Sequence, residues 1–398
     1  MFDDTTLASV GTLWDHEYFS RSWITQETSV SAHLMLICGR FQVVFNEFID
    51  LTKFICLYST VETRNQKTAR NTIAIRHSFQ KLIQGMQESS QTREGSLRNG
   101  GVSPEGSQFT LDLFQLLSLR RDLKATDPRD KVYAFLGLSR DAEMFQISPG
   151  YSISVDELYN IVAIKLLLRY GPAVLSASQP KYTTIQLPSW VPDWSLPWRG
   201  GIARIQSFEC GAALVGHIRI DALNGTVTFS GMLLDVVKRI DGTPFDAWGP
   251  EPRTMVDMEA LFEEQMKKLG YIGFYTHTRQ CYGTVLLEVL TAGRRNQVHQ
   301  DPVSMMEAVL IGPGFDWNPF DPEKKKWDSL YKNLLWKKDE WDIFETENGY
   351  IGLGPRSVIP GDVICILPGA PVPYILRPAG ESTYQLIGDS YIHGIMMG

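Results

Sequence analysis

No apolar run in this sequence reaches the roughly 18–20 residues that a bilayer crossing requires, so no membrane contact is expected. Cysteine is scarce: five residues, at 38, 56, 210, 281 and 365, odd in number and without Cys-x-x-Cys spacing. That scatter argues against a disulfide framework and for reduced thiols in an intracellular compartment. Positive charge is not in excess either. Thirty-eight Lys and Arg stand against 45 Asp and Glu, a formal net charge of −7 over 398 residues, which gives no pull toward nucleic acid or anionic lipid. The opening Met-Phe-Asp-Asp-Thr-Thr lacks both the basic start and the apolar core of a signal peptide. The sequon at Asn224-Gly225-Thr226 is therefore idle, and the expected location is cytoplasmic, with the nucleus as the other default. There is no GxSxG elbow, P-loop or HExxH, and no internal repeat. Neither a metal ion nor a cofactor is expected.

What is present is an ordinary globular composition, 43% hydrophobic and 21% charged, long enough for two or three cores. Phe19 to Glu27 reads as a helix that puts Trp23 and Glu27 on one face by their i,i+4 spacing. Leu34 to Cys38, closed by Gly39, reads as a buried strand. A helix and one strand look like the end of an α/β unit, so the chain is expected to begin inside a domain. Helices are predicted at about 45–59, buried on most sides, and at about 70–86. Residues 88–107 hold Ser, Gly, Pro and charge with almost nothing apolar, the composition of a flexible linker.

Further along, Leu111 to Leu117 reads as a helix. At Asp127-Pro128-Arg129-Asp130 a second one begins, with Asp127 as N-cap, Pro128 in the first position and Gly137 as the stop. Ser154 to Glu157 is a capping box opening a helix that ends at Tyr170-Gly171-Pro172. From Leu187 the composition turns toward strands, and His217–Ile220, Asn224-Gly225 and Thr226–Phe229 together predict a hairpin. Residues 253–345 return to helices, one of them rich in Lys, Glu and Trp near 322–341. From Tyr350, Val and Ile strands between Gly and Pro turns predict a small sheet or barrel. The fold class is thus α+β: an α/β remnant in residues 1–87, a linker at 88–107, a helical region at 108–200 and an α+β region at 201–398.

Several stretches together resemble the fungal heterokaryon-incompatibility (HET) domain proteins. They are Phe19–Glu27 with the strand ending Cys38-Gly39, Asp127–Leu138 (DPRDKVYAFLGL), Pro149-Gly150-Tyr151-Ser152, Leu187–Trp194 (LPSWVPDW), Tyr350–Pro355, Gly361-Asp362 and Tyr391-Ile392-His393-Gly394. The family's earlier motifs, an aromatic first strand ending in Trp-Gly and a block around Trp-Ile-Asp and Cys-Ile-x-Gln, are absent. The resemblance therefore implies a HET protein without the front part of its signature domain. It implies a flavodoxin-like or TIR-like unit at the N-terminus, and a protein of fungal non-self recognition and programmed cell death that acts through protein partners without enzymatic activity, or a degenerate truncated paralogue.

Because HET domains are thought to be similar to TIR domains, some of which cleave NAD, the resemblance also implies an alternative. Glu27 would be the catalytic residue, hydrogen-bonding the nicotinamide ribose and stabilising an oxocarbenium-like transition state, with Trp23 beside the bound NAD. Against this, Glu27 reads as a helix-start carboxylate that pairs with Arg21 or caps amides. The 127–131 cluster reads as capping and ion pairing, and Trp190, Pro192 and Trp194 as core packing over an aromatic shelf. His393, without a Cys or His at ligand spacing, reads as a hydrogen-bonded histidine. Gly349-x-x-Gly352-x-Gly354-Pro355 reads as turn chemistry.

Overall fold

The computed structural model describes residues 16–30, 34–58, 111–178, 185–197, 201–204, 208–212, 214–222, 224–242, 267, 270–293 and 340–397. The helix predicted at 70–86, the linker at 88–107 and the Lys/Glu/Trp-rich helix before 341 fall outside them. The fold is mixed α+β. Its contacts divide into two compact units: Met1–Val162 with Trp194–Trp198, and Ala163–Asp193 with Arg199–Gly398.

In the first unit the stretch expected to be one helix is two, α1 (Glu17–Ser20) and α2 (Ile24–Val30). The break falls at Arg21, which bridges Lys124 in strand fashion: Ser20 and Ser22 exchange backbone hydrogen bonds with Lys124 at 2.5 and 2.7 Å. The strand expected to be buried is β1 (Met35–Cys38), and it is largely exposed. It pairs antiparallel with β2 (Phe41–Val44) across the Gly39-Arg40 turn, where Gly39 has φ +59. Only alternate residues turn inward: Leu34, Leu36 and Val43 pack on a core of Phe19, Ile24, Phe45, Phe48 and Ile49, while Met35 and Ile37 face out. Helix α3 (Phe45–Tyr58) follows; in its first two turns Phe45, Phe48 and Ile49 are buried and Leu51 is exposed.

Helix α4 (Leu113–Leu119) opens with a reciprocal capping box between Asp112 and Gln115. The next helix, α5, runs Asp130–Leu136 and starts two residues later than predicted. Asp127 still caps: its Oδ1 accepts the Arg129 N–H at 3.0 Å and its carbonyl accepts the Asp130 N–H at 3.0 Å. Pro128 sits in that preceding turn. Gly137 ends the helix with φ −72, so left-handed freedom is not its role; a Cβ there would press to 3.3 Å from Gln26 Nε2. After the short α6 (Ala142–Phe145), helix α7 (Val155–Tyr170) begins with Ser154 Oγ accepting the Glu157 N–H and ends at Gly171, φ +63. With the 3₁₀ turn after it, Val155–Ala177 has the length and apolar character of a membrane span, but half of it is buried inside the protein, as befits a core helix.

The second unit is dominated by an antiparallel seven-stranded sheet in the order β10-β9-β8-β5-β6-β7-β11. Its strands are β5 (Met232–Gly242), β6 (Trp341–Thr346), β7 (Ile351–Pro355), β8 (Val363–Ile366), β9 (Tyr374–Gly380), β10 (Thr383–Asp389) and β11 (Tyr391–Ile392). Strand β5 is shared: Met232–Val236 pairs with β8, and Val237–Gly242 with β6. Bulges along it bend the sheet, and at one of them Asp235 accepts from Val236 N, Asn348 N and Asn348 Nδ2 at 2.9–3.0 Å. Strands β10 and β11 stand at opposite ends of the order, yet Ser390 alone separates them in sequence. One residue can join them only if the two edges have come together, which makes the sheet barrel-like. Val237, Phe344, Val358, Ile364, Ile375, Ile387 and Ile392 fill the interior.

The Gly-rich stretch before Pro355 is a correction. Gly349 occupies a turn at φ +83, but Gly352 and Gly354 lie within β7. Their reason is close approach: a Cβ on Gly352 would overlap the Phe344 ring and lie 2.8 Å from Ile392 Cδ1, and one on Gly354 would lie 2.7 Å from Ile375 Cδ1. The expected hairpin is present as β3 (Ile218–Asp221) and β4 (Thr226–Phe229), with Gly225 at φ +62. Asp221 pairs with Thr226, so the loop is four residues wide, and the Asp221 carboxylate holds Asn224 N at 3.2 Å and Nδ2 at 2.8 Å.

Two outcomes test this arrangement by chemical denaturation. Gly352→Ala should destabilise the chain by about 1–3 kcal/mol, the usual cost of overpacking a filled core. Gly225→Val should cost about 1 kcal/mol or more, because a β-branched residue resists positive φ. Unchanged midpoints for both variants would contradict the packing and the turn described.

Candidate functional site

Two places hold the chemistry-bearing side chains. At the first, Trp23 precedes α2 and does not lie within it; its carbonyl accepts the Gln26 and Glu27 N–H groups, both at 3.0 Å. Ser22 fixes this entry by giving its N–H and hydroxyl to Lys124 O at 2.7 and 3.1 Å. Glu27 is exposed in the first turn of α2, where a carboxylate is favoured by the amides that lack helical partners. It accepts a hydrogen bond from the Tyr18 hydroxyl at 2.9 Å. Partial burial, then Glu27, pushes Tyr18 up to about 12. Trp23 is half-buried. Among the described residues, the strands adjoining this helix are the β1–β2 hairpin.

The Asp127 cluster is a clamp. The Arg129 guanidinium makes a bidentate pair with Asp127 (2.9 and 2.7 Å), donates to the Tyr151 and Ile153 carbonyls (2.7 and 2.8 Å) and lies over the Tyr151 ring. Tyr151 in turn donates to Asp130 at 2.7 Å, and Tyr133 donates to Gly150 O at 2.6 Å. The DPRD and PGYS motifs thus bind each other. Lys131, buried, gives its ammonium to the Arg121 and Leu123 carbonyls. Trp190 and Trp194 are buried as well; Trp190 donates Nε1–H to Gly225 O at 2.9 Å, and Arg121 lies over Trp194.

The second place is one end of the barrel, where the 270–281 loop, helix α8 (Tyr282–Thr291) and the tail after β11 meet. His393 is buried; its Nε2 lies 2.6 Å from Gln280 Oε1, and its Nδ1 lies 3.4 Å from both Tyr391 OH and Glu288 Oε2. Burial pushes its imidazole down to about 4, so the ring is neutral at pH 7. Tyr275, fully buried, sets its ring edge-to-face against His393 and accepts the Ile351 N–H. Tyr282 contacts Tyr275 and stacks on Tyr271, whose hydroxyl donates to Asp241. Burial pushes the Asp241 carboxyl up, while the Tyr271 hydroxyl and Arg239 pull it back. Arg239 bridges Asp241 and Glu345 at 3.2 and 2.6 Å. These groups are linked by hydrogen bonds, an ion pair and ring contacts; among the described residues no group of three or more His, Cys, Asp and Glu could hold a metal ion.

His393 is hydrogen-bonded, as its isolation in sequence suggested. Gln280, Glu288 and Tyr275 were missed, and Tyr391 was read only as part of the motif it shares with His393. Gln280 and Glu288 lie more than a hundred residues before His393, and the only hint of a buried aromatic face was the spacing of Tyr271, Tyr275 and Tyr282, four and then seven residues apart.

Residues 323–398 match the family model of the Het-6 beta-barrel domain. Strands β6 to β11 lie inside the match, and β5, at the centre of the sheet, lies outside it. Along the chain the sequence is 25% identical to Heterokaryon incompatibility protein 6, OR allele, of Neurospora crassa, over an alignment of 473 residues covering 97% of this chain and 65% of that protein. The chain therefore spans about two thirds of the length of this curated relative. No solved structure matches it. The resemblance to the fungal heterokaryon-incompatibility proteins holds along nearly the whole chain, and its C-terminal part is similar to a Het-6 barrel.

Glu27→Gln should draw the Tyr18 hydroxyl back down from about 12, since it removes the facing negative charge. The stability change should be about 1 kcal/mol or less for so exposed a hydrogen bond. Titration of the Tyr18 ring by NMR checks it; an unmoved Tyr18 would show that the contact does not persist in solution.

Proposed function

We propose that this chain acts in fungal non-self recognition and the programmed cell death that follows it, in the cytoplasm, through contacts with protein partners and without cleaving NAD. Its similarity to Heterokaryon incompatibility protein 6 of Neurospora crassa supports the biological setting. The setting of Glu27 carries the chemical half. Its carboxylate is exposed and engaged by Tyr18, and among the described residues the strands beside it form a two-stranded antiparallel hairpin. A nucleotide site in an α/β unit is lined by the carboxyl ends of several adjacent parallel strands. Much of an enzyme's barrier reduction comes from such positioning, which a solvent-facing carboxylate on a seven-residue helix does not supply.

The competing reading is a TIR-like NAD glycohydrolase with Glu27 at the ribose and Trp23 beside it. Purified chain incubated with NAD and assayed for free nicotinamide separates the two. No release above the buffer rate is expected, and Glu27→Gln should leave that result unchanged. Sustained release that disappears in Glu27→Gln would overturn the proposal and establish the glycohydrolase.

A further inference from the structure

The β1 edge of the β1–β2 hairpin carries none of the features that keep strand edges apart. Met35–Cys38 has no charged residue, no Pro and no bulge in its register with β2. The other two-stranded sheet differs, since β3 carries Arg219 and Asp221. The ladder fixes the direction of the free backbone groups. Phe45 N–H donates to Leu34 O at 2.9 Å, so Leu34, Leu36 and Cys38 turn their backbone groups toward β2. Those of Met35 and Ile37 point to the open edge, and among the described residues nothing pairs with them there. The same two side chains face out from the sheet. Met35 is 52% and Ile37 63% exposed, with Val44 (45%) opposite Met35 and Gln42 opposite Ile37. Phe41, 68% exposed, extends the apolar surface at the turn. We propose that this edge is a dimerisation site: β1 pairs antiparallel with β1 of a second copy of this chain, about a two-fold axis at Leu36, to make one four-stranded sheet.

The register selects a second copy as the occupant. Opposed residues share a face, so pairing keeps the apolar side chains together only where the two strands alternate in step. With the axis at Leu36, Met35 lies opposite Ile37 of the second copy, and the two exchange both N–H···O bonds, as their outward groups require. Leu36 then meets its own counterpart on the inner face. Self-pairing thus satisfies the edge backbone and joins two apolar faces at once.

Charge does not oppose the pairing. The one charged residue between Met35 and Val44 is Arg40 in the turn, whose guanidinium lies over the Phe41 ring at 5.3 Å. The two Arg40 residues would stand at opposite ends of the paired strands, roughly 27 Å apart by strand rise and beyond the screening length of about 8 Å. The β2 edge is the poorer candidate: its outward groups belong to Gln42 and Val44, and the chain turns into α3 at Phe45. Area sets the strength. A standard interface buries about 800 Å² per partner, and one short strand edge with four apolar side chains offers less. The dimer is therefore weak, in the micromolar range. None of this depends on whether the chain cleaves NAD.

Sedimentation equilibrium of the intact chain between about 1 and 100 μM tests it. The mean mass should rise from monomer toward dimer across that range. Ile37→Lys, at a position exposed in the monomer, should keep the thermal midpoint and raise the dimer dissociation constant about tenfold or more. Disulfide trapping reads the register, with the exposed Cys38 and Cys281 replaced by Ser. Met35→Cys mixed with Ile37→Cys should cross-link, because their Cα atoms would lie about 5.5 Å apart across the pair. Either variant alone should not, since like residues would stand beyond about 7 Å. Should Ile37→Lys not fold, the trapping decides alone. A chain that stays monomeric up to about 100 μM, a dimer indifferent to Ile37→Lys, or cross-linking as strong in the single variants as in the mixture would overturn the proposal.

Discussion

The second unit is organised by the double pairing of β5. Its first half completes the ladder of β8 and its second half that of β6, so one strand holds two runs of the sheet that would otherwise each end in an open edge. Residues 243–340 separate β5 from β6 in sequence, and the ladder between them is the long-range contact that brings the later strands into place. The loop-closure entropy of such a pairing is unfavourable, growing slowly with length, and the buried interior of Val237, Phe344, Ile364 and Ile375 is what offsets it. At the junction, Gly361 N donates to Val237 O and Val237 N to Asp362 O, both at 2.8 Å, so the turn before β8 is tied to the bend in β5.

The same logic explains why the motifs occur together. Asp362 caps Ile359 N and takes a bidentate pair from Arg377, so Gly361-Asp362 is a turn locked to β9. Arg129 joins Asp127 to the backbone of Tyr151 and Ile153, which makes DPRD and PGYS two halves of one clamp. Trp190 in LPSWVPDW closes on the carbonyl of Gly225 in the β3–β4 loop. Arg129 and Trp190 each satisfy backbone carbonyls of a second segment, and Arg377 does the same at Ser357 O. These residues carry architecture.

Local signals were legible in the sequence and long-range ones were not. Ser154 before α7, Gly171 after it, the Asn224-Gly225 hairpin and the closing sheet could be read because each depends on residues within a few positions. Leu34–Cys38 was misjudged because a run of five apolar residues hides its alternation: Leu36 packs inward while Met35 and Ile37 face out. The break at Arg21 arises from Lys124, a partner with no local trace. Gly352 and Gly354 looked like turn residues, but their spacing of two is that of one face of a strand, pressed on Phe344. The match to the Het-6 barrel begins at residue 323 and leaves out β5, the strand at the centre of the sheet.

Burial gives the two chemical sites opposite characters. Around Glu27, hydrogen bonding is exposed to water, so a change of charge there is screened and its effect stays close to Tyr18. At the barrel end, His393, Tyr275 and Asp241 exchange hydrogen bonds and ring contacts out of water, where an unmatched charge or donor costs several times more. A proton added at the first site alters one contact. At the barrel end the Glu288 carboxylate lies 3.4 Å from His393 Nδ1, so burial and a facing negative charge act on the ring in opposite directions.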